Sequence, residues 1–422
     1  MGRFMITAMP FTGHVVPLLA VASALRARGH DVRFYTGSAF RERVEASGAT
    51  LVPWRAAPDF DENDLPATFP RLVGKKGLGQ LLINVADLFM GTAPQQVEDL
   101  EAEWTRDPWD VLAADEVSIG SVLAAERLGF AWATVAVLPL NMPGTQGPPS
   151  GLGLAPGRNP LTKTRDAALR AAVPLLSRPL RKPLADARAA AGLPPSRLTM
   201  DRIVFSPRLV VASGSTSLDY RRRDRPPSVE FVGRLLPPTD GPAELPGWWD
   251  DLRGRRIVHV TQGTQNVDPA DLIAPALDAL ADRDDLVVVV ATGVRGRDIL
   301  PFPVPSNARV AGFLPYGELL PLVEIVVTNG GWGGTLAALS HGIPLAVAGG
   351  DLDKPEIAAR VAWAGAGVDL RTGTPSASAV RAAVGRIETD ASFRAAAERV
   401  GQELRSLGGA PRAAALLEGL LA

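Results

Sequence analysis

The sequence predicts an α/β protein built from two doubly wound domains that face each other across a cleft. Short apolar strands alternate with longer helical patterns, which is typical of parallel sheets covered by helices on both faces. The alternation runs through the first half of the chain, stops in a stretch rich in proline and glycine, and then starts again. At 422 residues the chain is too long for one ordinary core and long enough for two.

Each half contains a series of predicted strands separated by helices. In the first half we predict strands at 3–9, 31–35, 110–114 and 133–137, and helices at 15–28 and 119–128. In the second half we predict strands at 257–261, 286–291, 325–328 and 343–347, and helices at 269–281 and 332–341. The run at 286–291 is continuously apolar, as expected for a strand buried on both faces.

The stretch 221–251 separates the two halves. It holds several prolines and glycines and little periodicity, which is typical of a linker. We therefore predict an N-terminal domain at 1–220, a linker at 221–251, a C-terminal domain at 252–400 and a helical end at 401–422. Folds of this class bind ligands beyond the C-terminal ends of their strands, so candidate site residues are sought there.

Composition excludes several classes of protein. Hydrophobic residues make up 46% and charged residues 21%, which is globular composition. A net charge of -1 predicts no nucleic-acid or membrane-surface partner. The absence of cysteine excludes disulfides and thiolate chemistry and fits a reducing compartment. No signal-peptide pattern and no run of ~20 apolar residues is present, so we expect a cytoplasmic protein.

His14 is the candidate general base. It follows the first strand and Gly13, and it opens a helix that has Pro17 in its first turn. This places the imidazole at the edge of the sheet where such folds bind ligands, and histidine suits base catalysis near neutral pH. The alternative is a histidine that only fills the turn. The other histidines are expected to be structural: His30, His259 and His341.

Asp115 is the candidate partner of His14. It ends the strand at 110–114 and should point into the same cleft, where a carboxylate would orient the imidazole and stabilise its charged form. Glu116 is the alternative acid. Asp115 can also be a helix cap for the segment that begins at Ser118.

The segment 328–335, Thr-Asn-Gly-Gly-Trp-Gly-Gly-Thr, is the strongest local signal. It follows an apolar strand and opens a helix, so its amide groups and the helix dipole can bind an anion. The Thr335 hydroxyl can donate as well. The pattern predicts a phosphate site, although it is neither a Walker A loop nor the dinucleotide fingerprint. The alternative is a glycine turn required only by packing.

Together these features resemble the family 1 glycosyltransferases of the GT-B fold, in particular the bacterial natural-product enzymes. The match covers nearly the whole chain and preserves the order of the motifs. The resemblance implies two Rossmann-like domains, with His14 removing the acceptor proton and Asp115 as its partner. It also implies that residues 401–422 form a helix that crosses back onto the N-terminal domain.

The resemblance further implies a site for a UDP- or TDP-sugar donor. Phe313 would stack on the base, and Asp353 and Lys354 would contact the sugar. The family usually has histidine where this chain has Asn329 and glutamine where it has Lys354. The implied donor-binding residues are Gly263, Thr264, Phe313, Leu314, Asn329, Gly330, Gly331, Gly334, Thr335, Asp353 and Lys354.

Aromatic and apolar residues of the first half predict an acceptor surface for a flat hydrophobic aglycone such as a polyketide or phenolic compound. For each of them the alternative is a place in the core. The candidates are Trp54, Phe60, Phe69, Phe89, Met90, Leu138 and Met142.

The expected reaction is a single displacement with inversion at the anomeric carbon. We expect no metal or other cofactor, because no acidic cluster of Mg²⁺-binding type lies near the glycine-rich segment. The partners would be the acceptor and the nucleotide sugar, and the sequence is compatible with a homodimer. The rival functions are a sugar-nucleotide epimerase of the same architecture and a non-catalytic homologue that activates a partner.

Overall fold

The computed structural model describes residues 1–75, 77–236, 244–263, 268–294 and 296–421. These residues form two parallel sheets, each covered by helices on both faces. This is the predicted architecture of two doubly wound domains. None of the helices in the described ranges combines the length and the apolar character needed to cross a bilayer.

The first sheet has the strand order β3-β2-β1-β4-β5-β6-β7. Its strands are β1 (Arg3–Thr7), β2 (Asp31–Thr36), β3 (Thr50–Pro53), β4 (Val111–Asp115), β5 (Ala131–Ala136), β6 (Val210–Ser213) and β7 (Val229–Gly233). Its helices are α1 (Thr12–Ala27), α2 (Arg41–Ala46), α3 (Leu65–Thr68), α4 (Gly77–Ile83), α5 (Ala93–Arg106), α6 (Ile119–Leu128), α7 (Pro160–Leu176), α8 (Arg178–Ala190) and α9 (Met200–Ile203). A π-helical stretch, Asn84–Met90, continues α4.

The second sheet has the strand order β10-β9-β8-β11-β12-β13. Its strands are β8 (Arg256–Thr261), β9 (Leu286–Ala291), β10 (Ala308–Ala311), β11 (Ile325–Thr328), β12 (Leu345–Val347) and β13 (Gly367–Asp369). The helices of this half are α10 (Ile273–Leu280), α11 (Tyr316–Leu319), α12 (Trp332–Ser340), α13 (Lys354–Trp363), α14 (Ala377–Thr389), α15 (Ala391–Ser406) and α16 (Gly409–Glu418).

The linker prediction is wrong for residues Val229–Gly233. These residues form β7, which pairs in parallel with β6 at the edge of the first sheet. Val232 is fully buried there, so the short apolar segment contributes to the core of the N-terminal domain. The prolines on both sides hid this strand, because they interrupt any longer periodic pattern.

The end of the chain packs on the N-terminal domain. Ala413, Ala414 and Leu417 of α16 are fully buried in the same core as Leu18 of α1. The carboxylate of Glu418 is paired with Arg28 at the end of α1. Helix α15, by contrast, packs on α12 of the second half. The chain therefore leaves the N-terminal domain after β7 and returns to it at α16.

Strand order determines which loops are neighbours. Strand β1 pairs with β4, so the segment that leads into α1 emerges beside the segment that follows Asp115. Strand β8 pairs with β11, with Thr261 opposite Thr328, so the loops after these two strands are also adjacent. Both pairs of loops lie at the C-terminal edges of their sheets.

Candidate active site

His14 and Asp115 form a pair at the edge of the first sheet. His14 lies in the first turn of α1, and its Nδ1 is 3.4 Å from Oδ2 of Asp115. The His14 side chain is 12% exposed, whereas that of Asp115 is fully buried. The separation is longer than a well-formed hydrogen bond, as is common for catalytic pairs before substrate binds.

Three backbone N–H groups hold the carboxylate of Asp115 in place. Met9 donates to Oδ2 at 2.7 Å, and Val117 and Ser118 donate to Oδ1 at 2.7 and 2.9 Å. Asp115 therefore caps the turn that leads into α6 and faces His14 at the same time. The position of Asp115 is compatible with both alternatives that the sequence left open.

The charges around His14 favour its protonated form. Burial lowers the pKa of His14, but the negative charges of Asp115, Glu116 and Asp353 outweigh it, so the net shift is upward from 6.5. Burial is also the main reason why the pKa of Glu116 is raised to about 7. Glu116 accepts hydrogen bonds from the N–H groups of Val137 and Leu138 at 2.9 and 2.7 Å. It thereby holds the start of the segment that follows β5.

His14 and Asp353 come from different halves of the chain, and the charge of each acts on the pKa of the other. Asp353 precedes α13, and burial raises the pKa of its carboxyl group while the charges of Lys354 and His14 lower it. Lys354 is buried, and its Nζ lies 3.1 Å from Oδ1 of Asp351. The structure thus brings the predicted base and the predicted sugar-binding pair close together.

The glycine-rich segment forms the N-terminus of α12. Gly330 has φ +92°, and a Cβ there would lie 2.9 Å from Cγ1 of Val347, so this position requires glycine. At Gly331 and Gly334 a Cβ would meet nothing within 4 Å, which leaves one side of the segment open. The hydroxyl of Thr335 is buried and has no hydrogen-bond partner among the described residues.

Asn329 joins the loops that follow β8 and β11. Its side-chain amide donates to the carbonyl oxygen of Gln262. Its Oδ1 is buried with no hydrogen-bond partner in the described ranges, and a Cβ at Gly263 would lie 3.6 Å from it. Asn329 and Gly263 are therefore brought together at the sheet edge. Thr264, the next predicted donor residue, lies outside the described residues.

The predicted base-binding residues follow β10. Phe313 is 51% exposed, whereas Leu314 is buried in the core of the second half. The N–H of Gly312 donates to Asp298 at 2.7 Å, which fixes the backbone before the ring. An exposed aromatic ring on a fixed backbone can stack on a planar base.

Most of the predicted acceptor residues lie in the core of the N-terminal domain. Phe89 and Leu138 are partly exposed. The buried ones are Trp54, Phe60, Phe69, Met90 and Met142. Their burial favours a role in the core over a role in acceptor binding for these five residues, because buried apolar side chains are most often core residues.

Phe11 connects this aromatic cluster to His14. Its ring centroid lies 6.0 Å from that of His14 and 5.4 Å from that of Phe60. Sequence reasoning did not identify Phe11, although its position between the first strand and the catalytic turn is a usable signal.

Trp332 forms a contact between the domains that the sequence did not indicate. It is the first residue of α12, and its Nε1 donates to Oγ of Ser213 at 3.0 Å. Gly214 follows with φ +96°, and a Cβ there would lie 2.7 Å from Cζ2 of Trp332. The indole thus joins the glycine-rich segment to the edge of the first sheet.

His14, Asp115 and Glu116 could offer ligand atoms to a metal ion, because these atoms lie within 4.8 Å of one another. Both carboxylates, however, already accept backbone N–H groups. This arrangement suits a fixed base and its partner better than a metal centre.

The other histidines occupy structural positions. His30 accepts from the N–H of Gly2 at 3.0 Å, and His259 is fully buried against the carbonyl of Val289. Burial lowers the pKa of His259 to about 4, so it is neutral. His341 ends α12, as expected.

Three comparisons with known proteins bear on this site. The family model "Erythromycin biosynthesis protein CIII-like, C-terminal domain" matches residues 274–415. The 4'-demethylrebeccamycin synthase of Lentzea aerocolonigenes is 38% identical over 99% of both chains. UDP-glucosyltransferase B1 of Starmerella bombicola is 33% identical over 94% of this chain and 93% of its own.

Solved structures share this fold. The structure of the spinosyn rhamnosyltransferase SpnG complexed with thymidine diphosphate aligns with 100% of this chain over 100% of its own, with a TM-score of 0.69 and 21% identity. Relatives that are similar along their whole length, on this fold, confirm the resemblance seen in the sequence. The chain belongs to the family 1 glycosyltransferases of the GT-B fold and is a natural-product glycosyltransferase that uses nucleotide sugars.

Proposed function

We propose that the protein transfers a sugar from a UDP- or TDP-sugar to a hydroxyl group of a small hydrophobic acceptor, with inversion at the anomeric carbon. The observation that carries this proposal is the His14–Asp115 pair, which lies across the cleft from Asp353. The alternative of an epimerase would require acid–base groups on the sugar side as well.

His14 acts as the general base. Asp115, held by three N–H groups, faces Nδ1 and fixes the ring so that Nε2 is available to the acceptor. The acceptor oxygen forms a bond to the anomeric carbon as its proton moves to Nε2. The bond from that carbon to the phosphate oxygen breaks, and its electron pair leaves with the nucleoside diphosphate.

The N-terminus of α12 stabilises the leaving group. The N–H groups of its first turn and the helix dipole favour negative charge, and the open side at Gly331 and Gly334 gives a diphosphate access. The hydroxyl of Thr335, which has no hydrogen-bond partner among the described residues, can donate to the same anion. Charge stabilisation by the helix makes a divalent metal unnecessary, so we propose that transfer survives EDTA.

The choice of donor nucleotide is supported by the relatives. One is named a UDP-glucosyltransferase, and one solved structure holds thymidine diphosphate. The exposed ring of Phe313 suits either pyrimidine, because stacking does not distinguish them.

The acceptor class is supported by the surroundings of His14. The ring of Phe11 lies beside that of His14, the proposed general base, and Phe89 and Leu138 are partly exposed in the same domain. Aromatic and apolar side chains near the proposed base favour a flat hydrophobic acceptor.

The test is incubation with UDP-glucose and TDP-glucose, with and without a phenolic acceptor. We expect a new glycoside by mass spectrometry, formed only when donor and acceptor are both present, and a β-linkage by the NMR coupling of the anomeric proton. An epimerised donor without acceptor would support the epimerase instead, and a retained α-linkage would contradict the single displacement.

A further inference from the structure

Helix α13 is tied to the N-terminal domain by a cluster of buried charges, here called the interdomain cluster: Arg360, Glu356 and Asp219. All three are almost fully buried. Arg360 and Glu356 lie on α13, and Asp219 lies in the segment that follows β6. The same helix begins beside Asp353, whose charge acts on the pKa of His14.

The guanidinium of Arg360 contacts both domains at once. Its Nε donates to Glu356 at 3.0 Å and its Nη1 to Asp219 at 2.8 Å. Its Nη2 donates to the carbonyl oxygen of Leu140 at 3.0 Å. Because the donors form a rigid planar fork, a shift of α13 cannot preserve all three contacts unless Asp219 and the segment around Leu140 shift with it.

Glu356 contacts a second part of the same segment. Its Oε2 accepts hydrogen bonds from the N–H groups of Gly151 and Gly153 at 3.1 and 3.2 Å. Gly153 has φ +64°, and a Cβ there would lie 2.8 Å from Cβ of Pro355. Only glycine therefore allows the backbone to approach α13 this closely.

The segment 138–153, here called the acceptor segment, is thus held from both sides of the cleft. Glu116, beside His14, binds the N–H of Leu138 at its start. Arg360 and Glu356 bind it further along, at Leu140, Gly151 and Gly153. The same backbone links the surroundings of the base to the helix that begins at the sugar-binding pair.

We propose that Arg360 and Glu356 are positioning residues that couple occupancy of the donor site to the conformation of the acceptor segment. This inference rests on the proposed function, since it assumes that α13 binds the sugar of the donor. Donor bound at the start of α13 fixes that helix, and the helix orders the acceptor segment through the interdomain cluster. The two substrates then bind in an ordered, mutually dependent way.

The variants are chosen so that the protein still folds. Removing Arg360 would take away the buried positive charge that lies between the carboxylates of Glu356 and Asp219, so it is a poor probe. Glu356→Gln keeps the volume but weakens the contacts to Gly151 and Gly153. Gly153→Ala adds the clash with Pro355. Gly147→Ala is the matched control, because it lies in the same segment, its φ of +72° gives similar strain, and a Cβ there would make only an ordinary contact, 3.4 Å from Cγ of Pro156.

The test is hydrogen–deuterium exchange of the full chain, with UDP-glucose and TDP-glucose as probes, because the sugar makes the proposed contact with α13, and with calorimetry to measure their affinity. In the wild type and in Gly147→Ala, the nucleotide sugar should slow exchange in residues 138–153 by about fivefold or more. In Glu356→Gln and Gly153→Ala this protection should be lost, the KM for acceptor should rise, and the affinity for the nucleotide sugar should change little.

The outcomes separate the two proposals. Protection of the acceptor segment that persists in both variants, with the nucleotide sugar bound, would overturn the coupling and leave the proposed function intact. A wild-type protein that binds neither nucleotide sugar would overturn the proposed function, and the coupling with it. Equal loss of protection in Gly147→Ala would also overturn the coupling, because strain alone would then explain the result.

Discussion

The two ring nitrogens of His14 have different surroundings, and the residue's chemistry depends on that difference. Nδ1 is buried beside Asp115, so in the proposed mechanism Nε2 accepts the proton of the acceptor. His14→Ala should lower turnover by ~10²-fold or more. Nucleotide affinity, measured by calorimetry, should hardly change, because the donor site is in the other domain. Turnover near that of the wild type would contradict the assignment.

Asp115→Asn should reduce both turnover and stability. The amide cannot stabilise an imidazolium as a carboxylate does, and its NH₂ group would face N–H donors that now bond to an oxygen. One unsatisfied donor costs about 1–3 kcal/mol, which chemical denaturation can detect. Turnover per folded molecule separates the two effects. If it equals that of the wild type, Asp115 acts only as a cap.

The raised pKa of His14 predicts how activity changes with pH. The base must be neutral, and its pKa is raised above 6.5, so activity should fall as the pH drops through that raised value. The raised pKa also means that the charged pair stabilises the folded state. This stabilisation is complete at a pH below 6.5, the pKa of an unperturbed histidine, and it is lost as the pH rises through the pKa of His14 in the folded state. Asp115→Asn should move the acid limb of kcat/KM to lower pH. An unmoved limb would assign the titration to another group.

At the scale of the element, the N-terminus of α12 depends on the backbone of Gly330. Gly330→Ala combines a positive φ with a clash against Val347, so it should displace the segment and weaken nucleotide binding by roughly tenfold or more. Gly254→Ala is the control, since its φ is +69° and a Cβ there meets nothing within 4 Å. Calorimetry with UDP measures both variants. Equal affinities would show that the segment does not bind the diphosphate.

The helices and strands with a strong hydrophobic periodicity could be predicted from the sequence. The structure also contains short strands that were not predicted. Strand β10 has four residues and β13 has three, which is too short for a period to emerge. The site loops could be predicted because adjacent parallel strands bring their C-terminal ends together. The burial of Trp54 and Phe60 could not be predicted, because it depends on which loops cover the sheet.

At the scale of the whole molecule, the final helix contributes to the stability of the first domain. Leu417 of α16 is fully buried in the N-terminal core, so Leu417→Ala should lower the free energy of unfolding by about 2–5 kcal/mol. Leu421→Ala, at a position 38% exposed, should have a much smaller effect. Thermal and chemical unfolding measure both. Similar losses in the two variants would mean that α16 contributes little.

The return of the chain to its first domain has a consequence for building hybrid enzymes. The second half, which is the proposed donor-binding half, is inserted between two parts of the N-terminal domain, because β7 precedes it and α16, which follows it, belongs to the N-terminal core. A chimera that replaces everything after β7 would graft a foreign α16 onto α1. Exchange of donor specificity between relatives therefore calls for two junctions, one after Gly233 and one near Gly408, where the chain turns with φ +85°.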